Sequence, residues 1–542
     1  MILRRATVLL LLLSGLIAGD GSARFTPPAL KGTPQFLVIG HGWGHGVGMS
    51  QWGAYGYAQN GYTYDKILAH YYPGTELGPT SVKSIRVLLA NTASVTISST
   101  GPWKLKDGTV STTTLPAGKV TLNPQLTFKL PDASEAQTFT GPLTFTASST
   151  SAPLVFKKPY RGTFTVTSDG TKLTLVNTVP LEQYLYAVVP SEMPKTWLPE
   201  ALKVQAVAAR SYALAVRKAA GPFDVYADTR SQVYGGVTAE APATTAAVDA
   251  TAAEVLTYGG KVALTYFSST SGGRTAAIGD VWKSPPIPYL VSVSDPYDTI
   301  SPYHDWGPIA FTAAKLKQAL KVPGRLLDVQ TTVNASQRVT DVTAIGDKGE
   351  LVVSGVDART ALGLRSTWFR VGVLALDPLP AKAVTFGSSV TLTGLGRGLS
   401  DLKLEERVPP AIAWTPNRAI RTAAEGSFSV PVKPAAPVEY RVSSGGVATP
   451  STQVVVAPRV NLKASADLTS LVGAVRPKLP GAVVQVQQWD ETAGRWTPVA
   501  KTTVSASGRF TVTPSVLGGT YRARVVAAHG WAVALSRKVL VQ

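Results

Sequence analysis

Most of this chain is cut into runs too short for helices, and a single long exception sets the fold class. From Ile85 to Thr178, apolar and polar residues alternate in stretches such as Ile85–Leu89, Gly118–Leu122, Leu143–Ala147 and Gly162–Thr167, punctuated by Gly, Pro and Ser-Thr clusters. Period-two patterning between turn residues predicts strands. Beyond Pro180 the pattern changes. Pro199 stands where a first helical turn tolerates proline, and Glu200–Ala219 is alanine-rich with no internal Gly or Pro. This helix is apolar over most of its circumference, so it is expected to be largely buried. The class that follows is α+β, with many strands around one long buried helix.

A chain of 542 residues holds several domains, and 44% apolar against 16% charged residues leaves ample material for their cores. After Pro378 the sequence is strand-like and repeats. Trp414-Thr415-Pro416 and Trp496-Thr497-Pro498 lie 82 residues apart, each followed by a Phe after a Gly-x turn (Phe428, Phe510) and by a Tyr-Arg pair (Tyr440-Arg441, Tyr521-Arg522). Short strands, turns and an expected buried Trp at this spacing predict two immunoglobulin-like sandwiches, 379–458 and 459–542, acting as spacer or adhesion modules.

Arg4 and Arg5, the leucine-rich Ala6–Ala18 and the small residues Gly21, Ser22 and Ala23 have the layout of a secretory signal peptide over residues 1–23, too short for a comfortable membrane span. A linker follows over 24–35. The expected product is exported and free of a stable membrane anchor. With no cysteine, disulfides, thiolate nucleophiles and thiolate metal sites are excluded. The net charge is +19, and loss of the leader removes two cations and one anion, leaving +18. That excess suits a polyanionic partner. The basic residues are scattered and form no nucleic-acid motif, so anionic wall polymers are favoured over nucleic acid, and a basic surface serving solubility alone is the plain alternative.

Three of the five histidines fall in Gly40-His41-Gly42-Trp43-Gly44-His45-Gly46-Val47-Gly48-Met49-Ser50-Gln51-Trp52-Gly53-Ala54 and in His70-Tyr71-Tyr72-Pro73-Gly74-Thr75. So many glycines predict a shaped loop rather than a helix. His-x₃-His binds zinc when a helix presents it, but these glycines deny that helix and no third ligand stands nearby, so no metal and no cofactor are expected. Lining of a glycan groove is favoured for His41, His45, Ser50 and Gln51, with the neighbouring aromatics either flat faces for sugar rings or parts of a small core.

Among the carboxylates, Glu192 sits in the apolar, turn-like Val188-Val189-Pro190-Ser191-Glu192-Met193-Pro194. A carboxyl so placed is costly to ionise and can act as a general acid near neutral pH, although a Ser-Glu pair before a helix is also an ordinary cap. On the long helix Lys203, Arg210 and Arg217 recur every seven residues, either as a solvent stripe or as a cationic line facing a groove.

Two blocks then carry a resemblance. Val176–Pro194 together with Pro199–Ala213 resembles the core of the SpoIID/LytB family, and Gly44–Gln51 with His70–Thr75 resembles that family's other signature. Further matches are Asp228–Tyr234, Ser268–Arg274 and Leu362–Phe369, so the resemblance covers about residues 36–372. It implies a SpoIID-type domain at 81–375 with its His/Gly-rich segment at 36–80. It also implies that Glu192 is the catalytic glutamate and that Lys203 and Arg210 are its characteristic helix cations. Tyr212, Gln232, Tyr234, Ser271 and Gly272, which lie in the matching blocks, join the expected supporting set.

Members of this family include lytic transglycosylases that cut peptidoglycan glycan strands and enhancers of amidases, so the implied partners are glycan strands and an amidase. Two departures stand out. The His-Gly signature usually follows the Ser-Thr-Trp-Phe strand but here precedes the whole domain, and termini close in space would let it reach the same place. Some members bind zinc through Cys and His near the Asp-Thr to Gln-Val-Tyr segment, where this chain has Ala227, Arg230 and Ser231.

Overall fold

The computed structural model describes residues 31–282, 284–515 and 518–542. The expected signal peptide and most of the linker lie outside them. Among the described residues no helix is long and apolar enough to cross a membrane, and none follows residue 362.

The strands read between Ile85 and Thr178 supply six strands of a seven-stranded sheet, completed by Val225–Tyr226, in which Leu173–Pro180 pairs antiparallel with both Ser84–Thr92 and Thr163–Ser168, and the whole of a four-stranded sheet that shares its core. Alternation puts Ile85, Val87, Phe145, Phe164, Val166 and Leu175 into one core. Strand Leu173–Pro180 runs straight into helix α3 (Leu181–Glu192), which carries Pro190 inside it.

The long helix, α4 (Pro199–Ala215), starts with Pro199 in its first turn as expected. It stops four residues before the expected end, because the chain turns over Lys218–Gly221 to bring Asp224 back against Arg86. The helix lies between two cores. Ala206, Ala209 and Ala213 enter the core of the seven-stranded sheet, while Ala201, Leu202, Val204, Val207 and Ala208 enter a second core. Small side chains let neighbours approach it from both sides. The second core is completed by helices α1 (Gln51–Gln59) and α2 (Tyr64–Tyr71) of the His/Gly-rich segment.

Helix α1 corrects the expectation of an unbroken loop. Gly42, Gly44, Gly46 and Gly48 do hold positive φ, but at Ser50 the side chain caps the Gly53 N–H at 3.1 Å and a helix begins. Gly53 and Gly56 are tolerated within it because nothing larger fits: a Cβ at Gly53 would lie 2.1 Å from the Tyr71 hydroxyl.

Strand Gln35–His41 pairs antiparallel with Asp305–Thr312 on one side and Phe369–Leu376 on the other. That five-stranded sheet continues through Val390–Arg397 to Ser427–Val432. The sequence position expected to separate the large domain from the first β-module thus lies between hydrogen-bonded strands of one sheet. Leu37, Leu374 and Leu376 share a core with Leu392, Leu404 and Val442. Residues 459–542 have a core of their own.

The repeat is also modified. Phe428 and Phe510 are buried as core residues, but Trp414 and Trp496 are half-exposed, with Arg441 and Arg522 stacked over them at 4.3 and 4.2 Å. The expected buried Trp is a surface cation-aromatic pair.

Candidate active site

Glu192 ends α3, where Pro190 and the extended Met193 stop the helix and turn its last side chain into a pocket of about 300 Å³. The walls are His45, Tyr212, Thr229, Ser231, Val233, Tyr266, Phe267 and Trp282. One carboxylate oxygen accepts the Val233 N–H at 2.8 Å. Burial pushes the carboxyl above its usual range, and that single N–H bond only partly opposes the shift. The sequence placed Glu192 in an apolar turn; it is a helix end, and the apolar surroundings come from distant chain.

His45 comes to the pocket from the glycine loop. Its Nδ1 accepts the Val47 N–H at 3.0 Å, which leaves the proton on Nε2. The ring packs tilted on Trp282 at 5.1 Å and edge-on to Tyr266 at 5.8 Å. Burial first, and then the charge of Arg359, pull its pKa down to about 4, so the ring is neutral above that pH. Tyr212 reaches the pocket from α4 and packs near Tyr266 at 5.6 Å.

The remaining expected residues do not line this pocket. Gln51 donates from Nε2 to the Glu192 backbone carbonyl at 2.9 Å and to Gln205 at 3.1 Å, holding the helix end from behind. Gln232 accepts from Tyr184 at 3.2 Å, and Tyr234 donates to Asn177 at 2.9 Å, both deep in the first core. Ser50, Ser271 and Gly272 converge elsewhere, on the fully buried Asp298. Its carboxylate accepts from Ser50 at 2.7 Å, from Thr270, from the N–H groups of Ser271 and Gly272, and pairs with His304 at 3.0 Å. Asp295 beside it accepts from Tyr71 at 2.8 Å and from Ser271 at 2.7 Å. His41 pairs with Asp305 at 2.6 Å and packs on Trp368 at 4.9 Å, away from Glu192.

The two helix cations do not line the pocket. The Arg210 side chain is fully buried, bonded to Glu182 through Nε at 3.1 Å and Nη2 at 2.6 Å and to the backbone carbonyls of Glu254 and Val248. Lys203 pairs with Glu200 at 2.7 Å, one turn back on α4. They form neither a solvent stripe nor a line toward a groove. Arg210 pins α3 to α4 and so fixes the helix that ends in Glu192.

Around Ala227 the donor set does not suit a metal. Arg230 is bonded to Asp228 at 2.7 Å, and the Ser231 hydroxyl accepts the Tyr226 N–H at 3.1 Å. Sequence reading missed Tyr266, Trp282, Asp295, Asp298 and the Val233 N–H, none of which carries a local pattern. The hints were that Tyr266 and Phe267 adjoin the Ser268–Arg274 block and that Val233 lies within the Asp228–Tyr234 block.

The displaced signature block returns to the expected neighbourhood. His41 N–H bonds the Trp368 carbonyl at 2.9 Å, Gly44 N–H the Arg365 carbonyl at 3.0 Å, and the Ser366 hydroxyl the His41 carbonyl at 2.5 Å. The block therefore sits beside the Ser-Thr-Trp-Phe strand although it comes from the other end of the sequence.

Residues 169–258, which hold Glu192, Arg210 and Val233, match the family described as SpoIID, stage II sporulation protein. Stage II sporulation protein D of Bacillus subtilis is 34% identical over 246 residues, covering 41% of this chain and 68% of that protein. Its Bacillus amyloliquefaciens counterpart is 34% identical over 212 residues, 36% of this chain and 60% of that one. A Bacillus subtilis protein named Amidase enhancer is 41% identical over 115 residues, 21% of this chain but only 15% of its own length. Domains A168–A170 of titin align at 16% identity over 37% of this chain and 73% of that one, with a TM-score of 0.14 that carries no conclusion about fold. By the length of the match to stage II sporulation protein D, and with both signature blocks meeting around one pocket, this chain belongs to the SpoIID/LytB family.

Proposed function

We propose that this is an exported cell-wall protein that cleaves peptidoglycan glycan strands as a lytic transglycosylase, with Glu192 as its acid and base. The observation that carries this reading is a lone carboxyl, its pKa raised by burial, that opens into a pocket with aromatic walls and a neutral histidine. Protonated Glu192 donates to the glycosidic oxygen between N-acetylmuramic acid and N-acetylglucosamine, and the bond from that oxygen to the anomeric carbon breaks. The muramic 6-hydroxyl attacks the anomeric carbon and passes its proton to the Glu192 carboxylate. The product is a 1,6-anhydro end, no water is consumed, and the acid is regenerated. Because the nucleophile is intramolecular, one carboxyl suffices where most glycosidases use two. His45, with its proton on Nε2, acts as a neutral hydrogen-bond donor to the sugar, and Tyr212, Tyr266 and Trp282 present faces or hydroxyls to the rings.

Glu192→Gln keeps an acceptor for the Val233 N–H but removes the transferable proton. It is expected to abolish anhydromuropeptide release from sacculi, read by mass spectrometry, while melting no lower than the parent. Unchanged release would overturn the assignment. A second reading, a wall binder that stimulates an amidase, is favoured by the match to the protein named Amidase enhancer. It requires that the parent release no anhydro product and that Glu192→Gln still enhance an added amidase.

A further inference from the structure

The two C-terminal modules are copies with the same strand register, and their outward faces differ in charge. In the first, Glu405 lies opposite Arg441 and Pro416; in the second, Gln487 lies opposite Arg522 and Pro498. Each has a bulge just before that residue, at Leu404/Glu405 and at Val486/Gln487. The same hydrogen bond is made in both: Arg441 Nε to Glu405 at 2.6 Å, and Arg522 Nε to Gln487 at 2.8 Å. Only the first neutralises its cation. Arg407 there is likewise paired with Glu439, whose place in the second module is Thr520, and Ser443 is replaced by Arg524. Trp489 stands where the first module has Arg407, so the second face keeps two guanidinium groups but has lost both carboxylates that neutralise them in the first. No carboxylate pairs with Arg522 or Arg524 among the described residues; burial and the charge of Arg524 instead lower the Arg522 pKa.

This face also carries two half-exposed indoles. Trp496 lies between Arg522 at 4.2 Å and Lys538 at 5.7 Å, and Trp489 meets it edge-on at 5.4 Å. Flat apolar rings beside unpaired guanidinium groups suit a polymer of sugar rings bearing carboxylates. We propose that this face of the last module binds the peptidoglycan glycan strand, the indoles packing on sugar rings and Arg522 and Arg524 taking carboxylates of the stem peptides borne by its muramyl residues. The choice of glycan rests on the wall-acting reading above. A second hold on the same strand would raise the effective concentration of glycan at the Glu192 pocket.

The test uses the full chain carrying Glu192→Gln, so that sacculi stay intact during sedimentation binding. Adding Gln487→Glu rebuilds the ion pair that the first module already tolerates. It should weaken binding to purified, phosphate-polymer-free sacculi about tenfold and reduce its salt dependence. Arg524→Ser, which copies Ser443, should act in the same direction, and Glu405→Gln in the first module should not weaken binding. Cleavage of short soluble glycan by the otherwise native chain with Gln487→Glu should be unchanged, which separates this site from the catalytic reading. Equal binding by folded Gln487→Glu and Arg524→Ser proteins would overturn the proposal. So would binding that appears only with phosphate polymers or nucleic acid.

Discussion

Glu192 and Asp295 are both carboxyls that the fold holds above the usual range, and they have different work to do. Glu192 opens to a pocket, and its proton can leave for a substrate. Activity should accordingly fall as pH rises through the raised Glu192 pKa, read as anhydro-product release against pH. Asp295 is sealed. Burial, then the charge of Asp298, push it up to about 7. It binds its proton more tightly folded than unfolded, so stability should decline as pH rises from about 4, where the unfolded carboxyl ionises, to about 7. Asp295→Asn should flatten that slope in thermal melts taken across the same window. An unchanged slope would mean that another group titrates there. Glu192, His45 and Tyr212 were legible as site residues because signature blocks surround them. Asp295 and Asp298 were not, since their partners Ser50, Tyr71 and Ser271 lie 24 to 248 residues upstream.

At the scale of elements, α3 and α4 show how one cation can serve a site without touching it. Arg210, itself fully buried, meets the partly exposed Glu182 across the two helices, and removing the guanidinium leaves that carboxylate and two backbone carbonyls without their donor. Arg210→Ala should cost about 3–5 kcal/mol in denaturant unfolding. Whatever folded protein remains at low temperature should lose turnover through misplacement of the α3 end rather than through weaker glycan binding. Seven-residue spacing puts Lys203 and Arg210 on one side of the helix, Arg217 falling past its end, but spacing does not say what faces that side. For Arg210 it is Glu182, and no property of α4 alone announces it.

For the whole molecule, the shared sheet makes the first β-module part of the body that holds the site. Cutting after residue 378 would strip Val390–Arg397 from Phe369–Leu376 and bare Leu37, Leu374 and Leu376. That truncation should be largely insoluble or melt well below the full chain. A cut after residue 458 removes a unit with its own core and should leave a soluble protein with near-parental activity on short glycan. Equal solubility of the two truncations, judged by gel filtration and thermal melting, would show that the shared core contributes little.

Local chemistry alone determined much of this protein. The strand-to-helix switch near Pro180, the start of α4 at Pro199, the positive-φ glycines of the signature loop and the duplicated modules all follow from residue type and spacing. Comparison of its flanking blocks with the family likewise singles out Glu192, the residue proposed above as the acid. Tertiary structure decided what those patterns meet. It turned an N-terminal block into the neighbour of Ser366–Trp368, sank Arg210 against Glu182, and carried one sheet across an expected domain boundary. It also closed the pocket over Glu192 with Trp282 and the Val233 N–H. These are contacts between residues tens to hundreds of positions apart, and a periodicity read along the chain contains no information about which distant surface completes it.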